Sequence, residues 1–455
     1  MNRSRWIATG LALFFLMVTI TAVSAFSYQV RWGDTLSQLA VRFGVSTNDI
    51  VDANSKITNP NLIYAGDTIE IPAGDDGGGT GGLPGTYVVV RGDTLFAIAR
   101  RFNTTIDELC RLNPLIRNKN LIYPGQVINL PGGTGGEPDD NTPPVTSTPF
   151  GVGGQIVNFN NVTAMKDNSM TWVKLQYRWT PGDSPSLLAG DIQTVHDNGM
   201  KILLSITGND TFPTAGSIEF DRYVEFVEGV AALGPDAIEI WNEMNLDREW
   251  PAGEINPATY VTRLLQPSYT AIKAVDPDIM VISGALSPTG YDNNQNVWAD
   301  ERYLDGMWRA GATNYMDCVG VHYNAGATPP SARTGHPADT DHHSWYFIRT
   351  VELYDNTMQN RRPLCLTELG YLTGEGIGDL PTTFSWASDN TLSEQATWLA
   401  DAIRISKQRG DINLVIIFNI DFTKFDNSDP QAGYAIIRQD GSCPACEPVK
   451  QAIDQ

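Results

Sequence analysis

Residues 238–245 read IEIWNEMN. Ile238, Ile240 and Trp241 make a β-prone apolar run, and it ends on an amide and a carboxylate, Asn242 and Glu243. Runs of the same kind flank it: KILLSIT (201–207) before and IMVISGA (279–285) after. Further out lie FGVGGQIVN (150–158), TWVKLQYRW (171–179), CVGVHYN (318–324), PLCLTELG (363–370) and LVIIFNI (414–420). With AIEIWNE (237–243) these are eight candidate strands, and longer amphipathic stretches separate them. Two such stretches are SIEFDRYVEFVEGVAAL (217–233) and SEQATWLADAIRISKQR (393–409), the second with Ser393 as its expected N-cap. Short buried strands alternating with helices over residues 150–455 predict an α/β fold of the (β/α)8 barrel type. An open doubly wound sheet is the competing topology, but no Gly-rich phosphate loop follows the first strand.

Upstream of the barrel, two stretches of sequence align without a gap. YQVRWGDTLSQLAVRFG (28–44) answers YVVVRGDTLFAIARRFN (87–103), and NLIYAGDTIEIP (61–72) answers NLIYPGQVINLP (120–131). Each unit, 28–72 and 87–131, reads as strand, two helices and closing strand, with an Asn (54 or 113) in the middle. The GDTL turn, the mid-unit Asn and the terminal Pro resemble LysM modules, so the expected architecture is two small βααβ LysM domains followed by a TIM barrel. The resemblance implies binding of N-acetylglucosamine-containing glycans such as peptidoglycan or chitin. It places the contacts at Gly33, Asp34, Thr35, Leu36, Asn61, Leu62 and Ile63 in the first unit. In the second they fall at Gly92, Asp93, Thr94, Leu95, Asn120, Leu121 and Ile122. Several of these residue types also simply build turns and cap helices. Gly/Pro-rich stretches at 73–86 and 132–149 have no aromatic residues to bury and read as flexible linkers.

Residues 1–25 carry Arg3 and Arg5, then an apolar run, then Val23-Ser24-Ala25. This is the pattern of a secretory signal peptide rather than a retained anchor, so the expected location is extracellular, at the cell wall, with no membrane association after cleavage. A net charge of −21 argues against nucleic acid and anionic lipid as partners. Of the five cysteines, Cys443 and Cys446 are spaced for a small disulfide; Cys110, Cys318 and Cys365 sit in apolar contexts and read as buried hydrophobes.

In a (β/α)8 barrel the reactive groups gather where the strands end. Here those ends offer Arg178, then Asn242 and Glu243, then His322, Tyr323 and Asn324, then Glu368, and finally Asn419 and Asp421. Two Glu on opposite strands fit cleavage of a glycosidic bond, where one carboxyl protonates the leaving oxygen and the other attacks the anomeric carbon. The run Trp241-Asn242-Glu243-x-Asn245 with the later LTELG resembles glycoside hydrolase clan A, nearest its family 39 or family 5 members. That resemblance implies a retaining O-glycosyl hydrolase acting on a polysaccharide, with Glu243 as acid/base and Glu368 as nucleophile. Asn242, His322, Tyr323, Asn324, Arg178 and Asn419 would bind substrate. Either Tyr323 or Asn324 would hydrogen-bond the nucleophile. Met244 stands where many clan members carry Pro, and Phe418-Asn419 replaces the usual Trp at the end of the last strand. Glu239 would share a side with Glu243 if its strand stays regular, leaving a buried acid that needs a partner such as Lys174.

Four of five histidines fall in 322–343, with Asp339 and Asp341 nearby, but in no recognised ligand spacing; no metal and no cofactor is expected. Trp179, Trp250, Trp298, Trp345 and Trp386 are candidate sugar-stacking residues. Two other readings stay open: a non-catalytic glycan-binding wall protein, and a hydrolase of peptidoglycan glycan strands.

Overall fold

The structure is a computed structural model. It describes residues 26–30, 67–72, 86–88, 104–113, 127–130, 149–209, 212–338 and 341–455, with single positions between 50 and 122. It divides into two units, 1–82 and 83–455. The signal-peptide expectation (1–25) and most of both linkers lie outside the described residues.

In the first unit, strands Phe26–Gln29 and Thr68–Ile71 pair antiparallel, with Phe26 opposite Ile71. Val30, Ile50, Ile69 and Ile71 form its small core. Asn54 has a structural role here: its Nδ2 donates to Ile50 O (2.7 Å) and Glu70 O (2.6 Å), and its Oδ1 accepts from Glu70 N (2.7 Å). One amide thus ties the end of a helix to the closing strand, satisfying backbone groups that would otherwise be orphaned. The corresponding part of the second unit pairs Thr86–Val88 with Val127–Asn129, again antiparallel. Its helix Ile106–Leu112 is capped by Thr105, and Asn113 Nδ2 donates to Leu109 O at 2.7 Å.

The rest of the larger unit is the barrel. Its strands are β1 (Gly151–Gln155), β2 (Trp172–Trp179), β3 (Lys201–Gly208), β4 (Ala237–Ile240), β5 (Met280–Ser283), β6 (Val319–Tyr323), β7 (Leu364–Leu369) and β8 (Ile412–Ile417). All pair parallel in the order β6-β7-β8-β1-β2-β3-β4-β5. Parallel bridges Ile282 to Cys318 and Leu286 to Val321 bring β5 against β6, so the barrel is nearly closed. Helices α1 (Val162–Asp167), α2 (Ala189–Asp197), α3 (Phe220–Ala231), α4 (Gln266–Val275), α5 (Asp300–Arg309), α6 (Phe347–Thr357), α7 (Leu392–Arg409) and α8 (Cys446–Asp454) follow the strands in turn. The expected (β/α)8 TIM barrel is what forms.

The helices bury one stripe each. On α3, Phe220, Tyr223, Phe226, Val227 and Val230 recur at helical spacing and pack against the barrel wall. The N-cap of α7 is Thr391, two residues before the expected Ser393. Thr391 and Glu394 form a reciprocal capping box, because the TLSE sequence places a carboxylate three residues after the threonine.

Inside the barrel floor, Trp172, Leu203, Ala237, Met280, Ile282, Leu414 and Ile416 surround Cys318 and Cys365. These cysteines are a disulfide, with Cα atoms 5.8 Å apart, and not the free hydrophobes expected. Cys318 immediately precedes β6 and Cys365 lies on its neighbour β7, a pairing visible only once the strand order is known. Cys443 and Cys446 also pair, and Cys110 is free and half-buried. Replacing Cys318 and Cys365 by Ala together is expected to lower the unfolding free energy by about 2–4 kcal/mol, because the bridge closes a long loop in the unfolded chain. Urea titration of the oxidised protein checks this; an unchanged midpoint would contradict it.

Candidate active site

Strand β4 ends at Ile240, and the chain then leaves strand geometry: Trp241 and Glu243 both have positive φ, 72° and 40°. Such conformations cost about 1–3 kcal/mol each in non-glycine residues, so the surroundings must hold them. Two tyrosines do so. Tyr223 Oη donates to Ile206 O (2.7 Å) and accepts from Trp241 N (3.2 Å). Tyr260 Oη donates to Ile240 O (2.9 Å) and accepts from Gly284 N (2.7 Å). Glu243 N donates to Ala285 O (2.8 Å), and the Asn245 amide binds Ser287 N, Ser287 O and Trp298 O at 2.9–3.0 Å. The segment after β4 is therefore fixed from four directions, and it aims Glu243 across the barrel mouth.

A bulge aims the opposite group. Against β6 the pairing jumps from Val321–Leu366 to His322–Glu368, and against β8 from Leu366–Val415 to Leu369–Ile417. The extra residue lets Thr367 and Glu368 both reach the interior side, a known use of bulges beside active sites. Glu243 and Glu368 are both buried. They meet at one atom: His322 Nδ1 lies 3.2 Å from Glu243 Oε1 and 3.7 Å from Glu368 Oε2. Those two carboxylate oxygens are thus no more than about 7 Å apart, a bound that admits the ~5–5.5 Å of retaining glycosidase pairs and only the bottom of the inverting range.

The two carboxylates have different environments. Glu368 accepts from Lys174 Nζ (3.2 Å) and from Asn324 Nδ2 (2.9 Å). Burial pushes its carboxyl up, but the charge of a protonated His322, the charge of Lys174 and these two hydrogen bonds outweigh burial and hold it below the usual range. Burial also lowers His322 itself, keeping the imidazole neutral at pH 7. We therefore assign the depression of Glu368 at neutral pH to Lys174 and Asn324. Glu243 Oε2 instead pairs with the exposed Arg248 guanidinium. Burial raises Glu249, against the opposing pull of Arg178, Arg248 and a hydrogen bond from Asn242, with Glu368 adding to the rise.

Lys174 also lies 3.6 Å from Glu239, whose other oxygen accepts from Thr367 Oγ1 (2.7 Å) and Ala285 N (3.3 Å). The interior acid has the partner its sequence position called for, although β4 does not continue regularly to Glu243.

The remaining expected residues divide. Asn242 is buried beside Glu249, its Oδ1 without a hydrogen-bond partner. Arg178 reaches to 4.0 Å from Glu249 and is largely exposed. Asn324, not Tyr323, holds Glu368; the close approach requires Gly370, whose Cβ would fall 2.8 Å from Asn324 Oδ1. Tyr323 faces away from the site: it is fully buried against Phe347 and Tyr371 and donates to Trp345 O at 3.1 Å. Asn419 is likewise no sugar ligand in this arrangement. It is fully buried, with its amide bracing the loop from Gln431 O to Phe422 N at 2.9 Å each. Trp179, Trp250 and Trp298 are buried packing residues, leaving Trp345 and Trp386 as half-buried rings 5.9 Å apart.

Arg248 and Glu249 carry only a faint signal in the sequence, an Arg-Glu pair in the loop after Asn245, and nothing local says that the loop folds back over the strand end. Of the expected LysM contacts, Leu95 is buried in the second domain's core and Thr94 and Ile122 are described. Gly33, Asp34, Thr35, Leu36, Asn61, Leu62, Ile63, Gly92, Asp93, Asn120 and Leu121 lie outside the described residues.

The LysM domain model matches residues 28–72 and 87–131, so the chain carries two LysM domains. Its sequence is similar to an endolysin of Bacillus phage B103, 40% identical over 104 residues, which covers 23% of this chain and 38% of that protein. It is also similar to the secreted LysM effector ECP6 of Passalora fulva, 37% identical over 125 residues, 24% of this chain and 54% of that one. The chain thus spans about half or less of these relatives' length. Among solved structures it resembles a family 39 glycoside hydrolase from Bacteroides cellulosilyticus WH2, with TM-score 0.49, 15% identity, and coverage of 87% of this chain and 75% of that chain. At that identity the side chains described above, not the likeness, carry the chemistry.

Proposed function

We propose that the protein is an exported retaining β-glycosidase that cleaves a polysaccharide while its LysM domains hold it to peptidoglycan or chitin. The reading rests on one observation: two buried carboxylates on opposite strand ends that share a single imidazole nitrogen. Ionised Glu368 attacks the anomeric carbon as Glu243 protonates the departing oxygen; Glu243 then takes a proton from the water that releases the glycosyl ester. Asn242 orients the sugar, and neutral His322 fixes the spacing of the two acids. Two disulfides accord with an oxidising compartment. No described helix is long and apolar enough to cross a membrane. The Gly/Pro-rich segments 73–86 and 132–149 act as tethers that raise the local concentration of wall glycan.

The test is release of new reducing ends from a panel of β-glycans that includes purified sacculi and chitin. Wild type is expected to act on at least one, and Glu243→Gln and Glu368→Gln on none. Equal activity of all three proteins would contradict the reading, and no activity on any glycan would favour a binding-only wall protein. Release from sacculi alone would mark a glycan-strand hydrolase.

A second assignment of the acid is favoured by Glu249, which is buried beside Asn242, 4.0 Å from Arg178, with its carboxyl raised by burial. Leaving-group dependence separates the two. Glu243→Ala is expected to lose about 10²–10⁴ in kcat on natural glycans and far less on aryl glycosides whose leaving group needs no proton. If Glu249→Ala shows that pattern and Glu243→Ala does not, the acid is Glu249.

A further inference from the structure

The loop between β5 and α5 and the loop between β6 and α6 converge on three side chains. Asp300, on the first turn of α5, and His342 and His343, ahead of α6, each bring one donor atom to within 4.8 Å of the others. His343 Nε2 lies 2.9 Å from Asp300 Oδ2, and the two imidazole rings are 4.0 Å apart. Two polar atoms here have no hydrogen-bond partner although both are buried: Asp300 Oδ1 and His342 Nε2. Asp300 is fully buried, so an unsatisfied carboxylate oxygen costs stability unless something answers it.

We propose that Asp300, His342 and His343 bind a zinc ion that staples these two loops together beside the barrel mouth. Imidazole and carboxylate donors suit zinc, whereas calcium and magnesium prefer oxygen-only sets. An ion about 2.0–2.2 Å from each donor would answer both orphaned atoms and draw the widest pair together. His342 Nδ1 accepts from Ser344 N at 3.3 Å and lies 2.8 Å from Ser344 Oγ. Zinc binding selects the other tautomer, with the ring proton on Nδ1 where Ser344 Oγ can accept it and the Nε2 lone pair free for the metal. Gly290 makes room for the His342 ring: a Cβ there would fall 2.6–3.0 Å from Cδ2, Nε2 and Cγ, against the ring face, and the exposed glycine leaves a path from solvent. Glu301 adds negative charge nearby, and the opposing Arg349 is held by Asp341 at 2.6 Å. The sequence alone leads to no metal here; of the two aspartates in the His-rich stretch, Asp341 is spent on that ion pair and Asp339 lies outside the described residues. Three protein donors leave one position for water, and the stapling role follows from the donors coming from two separate loops. The proposal is independent of the roles given to Glu243 and Glu368.

The experiment uses the full mature chain without a polyhistidine tag, stripped with chelator and titrated with zinc chloride by calorimetry, with metal content measured after dialysis. One zinc per chain is expected, with a higher thermal midpoint in the loaded protein. His342→Ala, which changes a half-buried ring, is expected to weaken zinc binding by at least about 10-fold with the fold intact by circular dichroism. Gly290→Ala should weaken it as much by pushing the His342 ring out of position, and it decides the matter if His342→Ala fails to fold. Absence of stoichiometric zinc, calcium binding in its place, or full zinc affinity in a folded variant would overturn the proposal.

Discussion

Replacing Glu368 by Gln is expected to lower kcat by about 10⁴-fold or more while the protein stays folded. The amide keeps the shape of the side chain and can still accept the hydrogen bond from Asn324 but cannot form the glycosyl ester. The loss should come with a specific chemical signature. In Glu368→Gly, azide entering the vacated space should restore turnover of an activated β-glycoside and yield the glycosyl azide of opposite anomeric configuration. In Glu243→Ala, azide should attack the glycosyl ester and yield a product of retained configuration. Azide products with these configurations exchanged would reverse the two roles. Wild-type turnover in Glu368→Gln would remove Glu368 from the chemistry altogether.

The second large effect belongs to Lys174, which touches no substrate. Its ammonium is fully buried between Glu239 and Glu368 and also donates to Thr367 O at 3.1 Å. Lys174→Met leaves two buried carboxylates without their shared cation and is expected to cost about 3–5 kcal/mol of stability. Chemical denaturation measures that, and a change under about 1 kcal/mol would contradict the account. The same variant should alter the pH profile. The folded-state carboxyl of Glu368 lies below its ordinary value, so the stability it contributes is present above the ordinary carboxylate range and is lost as pH falls through the folded value. Without Lys174 the burial that pushes Glu368 up is less opposed. The acid limb of kcat/KM is then expected to move to higher pH, and an unmoved limb would show that Lys174 does not set the charge of Glu368.

Much of this architecture is legible in the sequence because parallel barrel strands are buried on both faces. LVIIFNI, KILLSIT and CVGVHYN are continuous apolar runs that solvent-facing strands do not show. Glu243 and Glu368 stand out for the same reason, as charges where apolar runs stop. Alternation along β6 separates His322 from Tyr323: neighbouring side chains point to opposite faces, so with His322 inside, Tyr323 must pack outward and Asn324 turn in again. Other features depend on contacts far apart in the chain. The positive φ of Trp241 depends on hydroxyls from Tyr223 and Tyr260, each some twenty residues away. The Cys318–Cys365 bridge depends on β6 and β7 being neighbours. The return of Arg248 and Glu249 over the site depends on Trp241 Nε1 donating to Glu249 O at 3.0 Å, a bond that anchors a loop with no periodicity to read.

The central claim is that Glu243 and Glu368 work on one sugar ring in two successive displacements. Proton NMR of the first product released from a β-linked glycan, recorded before mutarotation, addresses it most directly. A β-anomer formed first, relaxing later to the equilibrium mixture, is the predicted result. An α-anomer formed first would mean a single displacement by water and would contradict the account.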